Sequence, residues 1–401
     1  MLSCRGPKKN ADPIGINHVG GSPEVPGQEI FHIPAKTGKY VGSPGITTLP
    51  DGTYLAKCDL FGPRSNEYFK ATSLLFASTD KGKTWEQTAE VKELFWASIF
   101  CHHEQVYMLG TTRCMGYTVI IKSKDGARTW SSPLDEKTGL LIKDWSHTAP
   151  VPVALHNGRI WRAMEQTNGP FPWNRRFSAF MMSAPEDADL LRSENWTFSN
   201  RLSFHAAWLK QSSPAICDWP KMWLEGNAVV SPEGQILDIL RIDQCGPQEL
   251  AAVVRISENG TKASFNPQEG LVPFPGGAKK FTIRYDPLSG RYWSITNAVP
   301  EKYKGMEDPF KLRNTQMLIS SKDLKNWTMH KTILHHPDCK KHAFQYVDWV
   351  FEKDDIIAVS RTAYDDALGG ANDFHDANFL TFHRIENFRQ AAQSQTQDRE
   401  A

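Results

Sequence analysis

Arginine, histidine and tyrosine residues recur at one kind of position in this chain, where an apolar strand begins or ends against a loop. His147, in Asp144-Trp145-Ser146-His147-Thr148, and Asn227, in Trp223-Leu224-Glu225-Gly226-Asn227, stand at strand starts. Arg64 (Phe61-Gly62-Pro63-Arg64) and Arg113 (Thr112-Arg113) stand where strands end, as does Arg361, which is followed by Tyr364, Asp365 and His375. Arg313 opens a further strand. A guanidinium group binds a carboxylate bidentately, so arginines gathered around a polar strand start form a site for an acidic ligand. Histidine and tyrosine beside them supply a base and an acid. The expected catalytic groups are therefore His147, Tyr364 and His375, and the expected binding groups are Arg64, Arg113, Asn227, Arg313 and Arg361. For a uronic acid, neutralising the carboxylate acidifies the C5 proton, and a base removes it with elimination of the 4-linked substituent. Hydrolysis draws instead on two carboxylates at a set separation or on a tyrosine with a carboxylate partner, and the acidic residues are too numerous to single one out.

The elements that would position these groups are read from repeats. Ser78-Thr79-Asp80-Lys81-Gly82-Lys83-Thr84-Trp85 fits the pattern Ser-x-Asp-x-Gly-x-Thr-Trp throughout. Ser123–Trp130 repeats it with Ala127 in place of glycine, and Ser321-Lys322-Asp323-Leu324-Lys325-Asn326-Trp327 is a shortened copy. Each follows an apolar strand, and the pattern has the chemistry of a hairpin turn. The carboxylate accepts turn N–H groups, glycine takes a positive φ, and tryptophan packs the hairpin. Between these copies lie strand-turn-strand units starting near Ser43, Ser98, His147, Glu225, Lys279 and Gln345. Their spacing of roughly 60 residues suits the four-stranded blades of a β-propeller. Six blades are countable, and a seventh has room around residues 200–222 or with the strand near Ile30–Ile33. No linker divides the chain, so residues 1–401 read as one all-β domain with irregular tails before about residue 25 and after about residue 390. In a propeller the arginines, His147 and Asn227 share one face, and the His102-His103 pair belongs to turns on the other.

Bulk properties exclude other classes. The 46 basic and 45 acidic residues leave a net charge of +1, with no footprint for nucleic acid or an anionic membrane. No stretch reaches the 18 or so apolar residues of a membrane span. The 7 cysteines are scattered without a CxxC pair, and no metal-ligand motif occurs, although a structural cation such as calcium on the propeller axis is compatible with the sequence. No cofactor is expected. Met1-Leu2-Ser3-Cys4 before a polar stretch resembles the remnant of a lipoprotein signal, which fits a secreted or periplasmic protein, lipid-anchored before processing.

The repeated turns resemble the Asp boxes (BNR repeats) of the sialidase superfamily, which implies a propeller. Sialidases carry an Arg-Ile-Pro motif on the first inner strand. Here that strand reads Tyr40-Val41-Gly42-Ser43-Pro44-Gly45-Ile46, without the arginine, which speaks against neuraminidase activity. The chain is similar, in Gly42–Ile46, Phe61-Gly62-Pro63, Ser183–Leu190 and His375–Arg384, to L-rhamnose-α-1,4-D-glucuronate lyases and related α-L-rhamnosidases. That resemblance implies seven blades, an oligo- or polysaccharide substrate containing uronic acid, and a polysaccharide lyase that removes terminal rhamnose from glucuronate on arabinogalactan-type glycans. The alternatives are a glycoside hydrolase (α-L-rhamnosidase or atypical exo-sialidase) and a non-catalytic glycan-binding propeller.

Overall fold

The computed structural model describes residues 24–167, 177–205, 207–212, 222–243, 248–305 and 308–393. Cys4, Cys217, Cys245, the signal-like N-terminus and most of the segment around residues 210–221 lie outside the described residues.

Six antiparallel sheets follow one another along the chain, each built around four strands. Blade one consists of Tyr40–Thr48, Tyr54–Phe61, Thr72–Ser78 and Glu86–Lys92. Blade two begins at Phe95–His102, blade three at Ser146–His147, blade four at Met222–Val230, blade five at Thr282–Asp286 and blade six at Ala343–Glu352. The count of six corrects the seven that the resemblance implied. Residues 202–203 add only a short edge to blade three, and the strand Gln28–His32 becomes the outermost strand of blade six. That last pairing closes the ring, because the chain's first strand completes the sheet begun by its last ones.

The faces between blades are filled by alternating apolar residues, with Trp161, Trp223, Trp293 and Trp349 fully buried. Around the axis, adjacent blades are joined by polar links between inner strands. Ser98 Oγ donates to Val151 O at 2.6 Å, Ile283 N–H donates to Asn227 Oδ1 at 3.0 Å, Lys280 Nζ donates to Val347 O at 2.8 Å, and Ile46 N–H donates to Asp348 Oδ2 at 3.0 Å. A buried polar group costs free energy unless it is bonded, so these links fix the blade-to-blade register.

The repeated turns carry one hydrogen-bond pattern. Asp80 Oδ1 accepts the N–H groups of Lys83 and Thr84, Oδ2 accepts the Thr84 hydroxyl at 2.6 Å, and Trp85 Nε1 donates to Gly82 O. Asp125 and Asp323 do the same in their turns. A fourth turn, Ser257–Lys262, reproduces part of the pattern with Asn259, which accepts from the Thr261 N–H and hydroxyl. All four join third to fourth strands. His102 and His103 also sit at hairpin turns, where both imidazoles meet Glu186 O.

Candidate functional site

Four inner strands are interrupted by the same defect. The pairing slips between Gly42 and Gly45, Phe95 and Ser98, Leu224 and Asn227, and Gln345 and Asp348. Inside each slip one residue has positive φ: Ser43 (40°), Trp96 (54°), Glu225 (58°) and Tyr346 (55°). A bulge inserts an unpaired residue and re-aims its side chain. Left-handed backbone is costly for non-glycine residues and is kept where the surroundings over-determine it. Across each slip, or at the equivalent level, the second strand presents Asp59, Thr111, Glu165, Arg241 or Arg361.

Glu225 and Tyr346 meet over the axis although a whole blade separates their strands. The Tyr346 hydroxyl donates to Glu225 Oε1 at 2.9 Å, and Arg241 Nη1 donates to Oε2 at 2.7 Å. Arg361 and Arg313 flank the Tyr346 ring, with guanidinium carbons 5.1 and 5.5 Å from its centroid. Arg361 also rests on Phe61 at 4.3 Å and donates to His375 O, while Arg313 Nη1 donates to Gln345 Oε1 at 2.6 Å. The three arginines and Glu225 are nearly inaccessible to solvent, whereas Tyr346 is partly exposed.

The electrostatics follow from this crowding. Burial, the largest single influence, would raise the Glu225 pKa, but Arg241, His147 and the Tyr346 hydroxyl together outweigh it, and the net shift is downward. Glu225 is thus an ionised acceptor. Burial and the Glu225 charge together raise the Tyr346 pKa, so the phenol keeps its proton until that proton has somewhere to go. Arg241, Arg313 and Arg361 lie around Glu225, with Asp243 3.7 Å from Arg241 Nη2 and Asp376 within electrostatic reach of Arg361. Two donors, Arg241 Nε and Arg361 Nε, are buried without a hydrogen-bond acceptor. The cluster therefore has donors to spare, which suits an anionic ligand.

Glu67, in the loop after the second strand of blade one, lies within electrostatic reach of Arg361. It accepts Gly62 N–H at 2.7 Å and the Ser65 hydroxyl at 2.9 Å, yet desolvation leaves its pKa raised. Like Asp243, it is a carboxyl beside the arginines whose pKa burial raises.

The residues expected from sequence separate into two groups. Arg313 and Arg361 join the cluster, and His375 supplies backbone and ring contacts to it, its Nδ1 lying 2.9 Å from Asp376 Oδ1. Burial and the Arg361 charge push the His375 pKa down to about 4. His147 lies beside the cluster, with Nδ1 at 2.8 Å from Glu165 Oε2 and its ring between Trp96 and Phe177. Tyr364 packs elsewhere, edge-on to the stacked His336 and His342 rings. The Asn227 amide is consumed by its links to Glu225 O, Phe281 O and Ile283 N–H. Arg64 lies exposed along Gly38 and Arg113 sits in the turn before Gly116; among the described residues neither side chain bonds to the cluster. Sequence reasoning missed Glu225, Arg241 and Tyr346. Aligning the six units at their starts would have exposed them, because they occupy equivalent positions in blades four and six.

Among the described residues one group has metal-ligand geometry, Asp373, His375 and Asp376. It lies in the loop beside Arg361 rather than on the axis, and that cation opposes a second one there.

No protein-family model and no curated sequence matches the chain. Solved structures do. A Penicillium chrysogenum α-L-arabinanase complexed with arabinobiose aligns at 13% identity and a TM-score of 0.52, over 90% of this chain and 98% of that one. The Hadza microbial sialidase Hz136 aligns at 12% identity and 0.59, over 90% and 68%. A leech intramolecular trans-sialidase complexed with 2,7-anhydro-Neu5Ac aligns at 11% and 0.57, over 92% and 71%. The likeness is one of fold. This chain has the propeller fold of these structures.

Proposed function

We propose that the protein is a retaining glycoside hydrolase for a sugar that carries a carboxylate, with Tyr346 as nucleophile and Glu225 as its base. One observation carries the reading: the 2.9 Å Tyr346–Glu225 hydrogen bond within three buried arginines, two of which have a donor to spare. A carboxylate at the reacting carbon would repel an anionic nucleophile, whereas a neutral phenol approaches without that penalty. Tyrosine in place of an acidic nucleophile is the known departure of sialidases from the two-carboxylate scheme. As the phenol oxygen bonds the anomeric carbon, its proton passes to Glu225 Oε1. The glycosidic oxygen leaves with a proton from Glu67, whose raised pKa suits an acid. Water then enters with Glu67 as base, the C–O bond to Tyr346 breaks, and the proton on Glu225 returns to the phenol. The arginines hold the substrate carboxylate throughout.

A second reading uses the same cluster. With a uronate bound, the arginines would acidify the C5 proton, Tyr346 would take it while passing its own proton to Glu225, and the 4-linked oxygen would leave with a proton from Glu67, giving the β-elimination expected from the rhamnose-glucuronate resemblance. An oligosaccharide substrate and a secreted or periplasmic setting go with either reading. The deciding experiment is turnover of methylumbelliferyl glycosides of sialic and glucuronic acid alongside gum arabic. Release of reducing sugar that Tyr346→Phe abolishes supports hydrolysis. Ultraviolet absorbance of a 4,5-unsaturated product supports elimination, and no turnover of any acidic glycan overturns both.

A further inference from the structure

Two of the four bulges deliver Glu225 and Tyr346 to the axis, and a third, in blade two, delivers a tryptophan. Trp96 has the same backbone (φ 54°) at the same level. Its conformation is held from beneath by a buried ion pair that also links blade one to blade two. Asp59 Oδ2 accepts the Trp96 N–H at 2.7 Å. The other Asp59 oxygen takes Lys57 Nζ at 2.7 Å and the Ser73 hydroxyl at 2.5 Å, and Lys57, Asp59 and Ser73 are all fully buried. Burying an ion pair is expensive even when it is well bonded. Here it fixes a strained backbone that points one large ring. That ring packs on Phe95 at 4.8 Å and edge-on to His147 at 4.5 Å, and it is itself only partly buried.

Blades two and three thus give the site an aromatic side of Trp96, Trp145 and Phe177, while blades four to six give it Glu225 and the arginines. We infer that Trp96 is the wall on which the substrate ring stacks, taking the C–H face of a pyranose whose carboxylate is turned to the arginines. An aromatic ring binds such a face through its polarisable surface while leaving the sugar hydroxyls free at the rim. The inference rests on the anion-site reading for the orientation of the sugar, but the stacking itself is testable without it.

The test is equilibrium binding of N-acetylneuraminic acid, glucuronic acid and neutral galactose to 5-fluorotryptophan-labelled protein, followed by ¹⁹F NMR. The Trp96 signal is assigned as the one missing in Trp96→Phe. We expect that signal to move on addition of an acidic sugar, Trp96→Ala to weaken binding about tenfold, the equivalent of about 1.4 kcal/mol, and Trp96→Phe to recover most of it. Arg313→Ala should weaken acidic sugars while leaving the Trp96 response to a neutral sugar in place. Should Trp96→Ala and its resonance be unaffected while Arg313→Ala abolishes binding, the stacking wall is wrong and the anion site stands. Loss on Trp96→Ala with no effect of Arg313→Ala keeps the wall and removes the anion site. Failure of all three sugars to bind the unsubstituted protein overturns both.

Discussion

Glu225→Gln isolates the electrostatics on which the site depends. The substitution keeps the shape and one acceptor for Tyr346, but it removes the charge that faces Arg241 at 2.7 Å. Asp243 is the next carboxylate, 3.7 Å from Nη2, and burial raises its pKa, so it compensates Arg241 poorly. Arg241 is then a buried cation without a firm counter-ion, a situation that costs about 3–5 kcal/mol when one partner of a buried pair is removed. Solvent reaching the cluster past the partly exposed Tyr346 would lower this, so about 3 kcal/mol is expected. Replacing both partners is much cheaper, because the desolvation cost of the arginine disappears with its charge. The assay is urea denaturation of the single variants and of Glu225→Gln/Arg241→Met. The double variant should be more stable than Glu225→Gln by about 2 kcal/mol because the unpaired charge is gone, so the two substitutions are strongly non-additive. The sign of the pH effect is also fixed. The folded pKa of Glu225 lies below its unfolded value, so its contribution is complete above the ordinary carboxylate range and is lost as pH falls through the lowered value. A Glu225→Gln cost below about 0.5 kcal/mol, or strictly additive variants, would refute the description of Glu225 as a charged anchor.

Three further outcomes separate the site from its scaffold. Tyr346→Phe should abolish turnover, while Tyr364→Phe should leave it unchanged, as measured by initial rates on the glycoside that the unsubstituted protein cleaves best. Asn227→Ala should cost about 2 kcal/mol in urea denaturation by orphaning Ile283 N–H and Phe281 O, with no change in KM. Gly82→Ala should destabilise by about 2–3 kcal/mol, because the residue has φ 88° and an added Cβ would stand 2.3 Å from the Phe382 ring; a shift below half of that would show that the turn yields instead.

The propeller was legible because its signals are local. An aspartate accepting three turn groups needs only the residues of that turn, so Asp80, Asp125 and Asp323 announce themselves in sequence. The Asn259 turn escaped because its acceptor is an amide and no tryptophan follows. The count of six was available from the strand starts, and the seventh blade was favoured by resemblance, with room for it left around residues 200–222 and near Ile30–Ile33. What no local signal could supply was the role of the Ile30 region, since its pairing with Phe379–Ile385 joins the two ends of the chain. The site was half legible for a similar reason. Arg313 and Arg361 were placed by the rule that polar residues near strand ends share a face. Tyr346 and Glu225 were passed over because a bulge changes the parity of the strand, and alternation of apolar and polar residues carries no mark of that slip. Asn227, two residues from Glu225, was taken for the site residue, yet its amide is spent on joining blades.

The central claim is that Tyr346 forms a covalent bond to the sugar. It is tested most directly by incubating the protein with a fluorinated activated glycoside of the acidic sugar it cleaves, then sequencing the labelled peptide by mass spectrometry. The account predicts one glycosyl group on Tyr346, absent after Tyr346→Phe. A label on an aspartate or glutamate, or turnover of the unfluorinated glycoside by Tyr346→Phe at the rate of the unsubstituted protein, would contradict it.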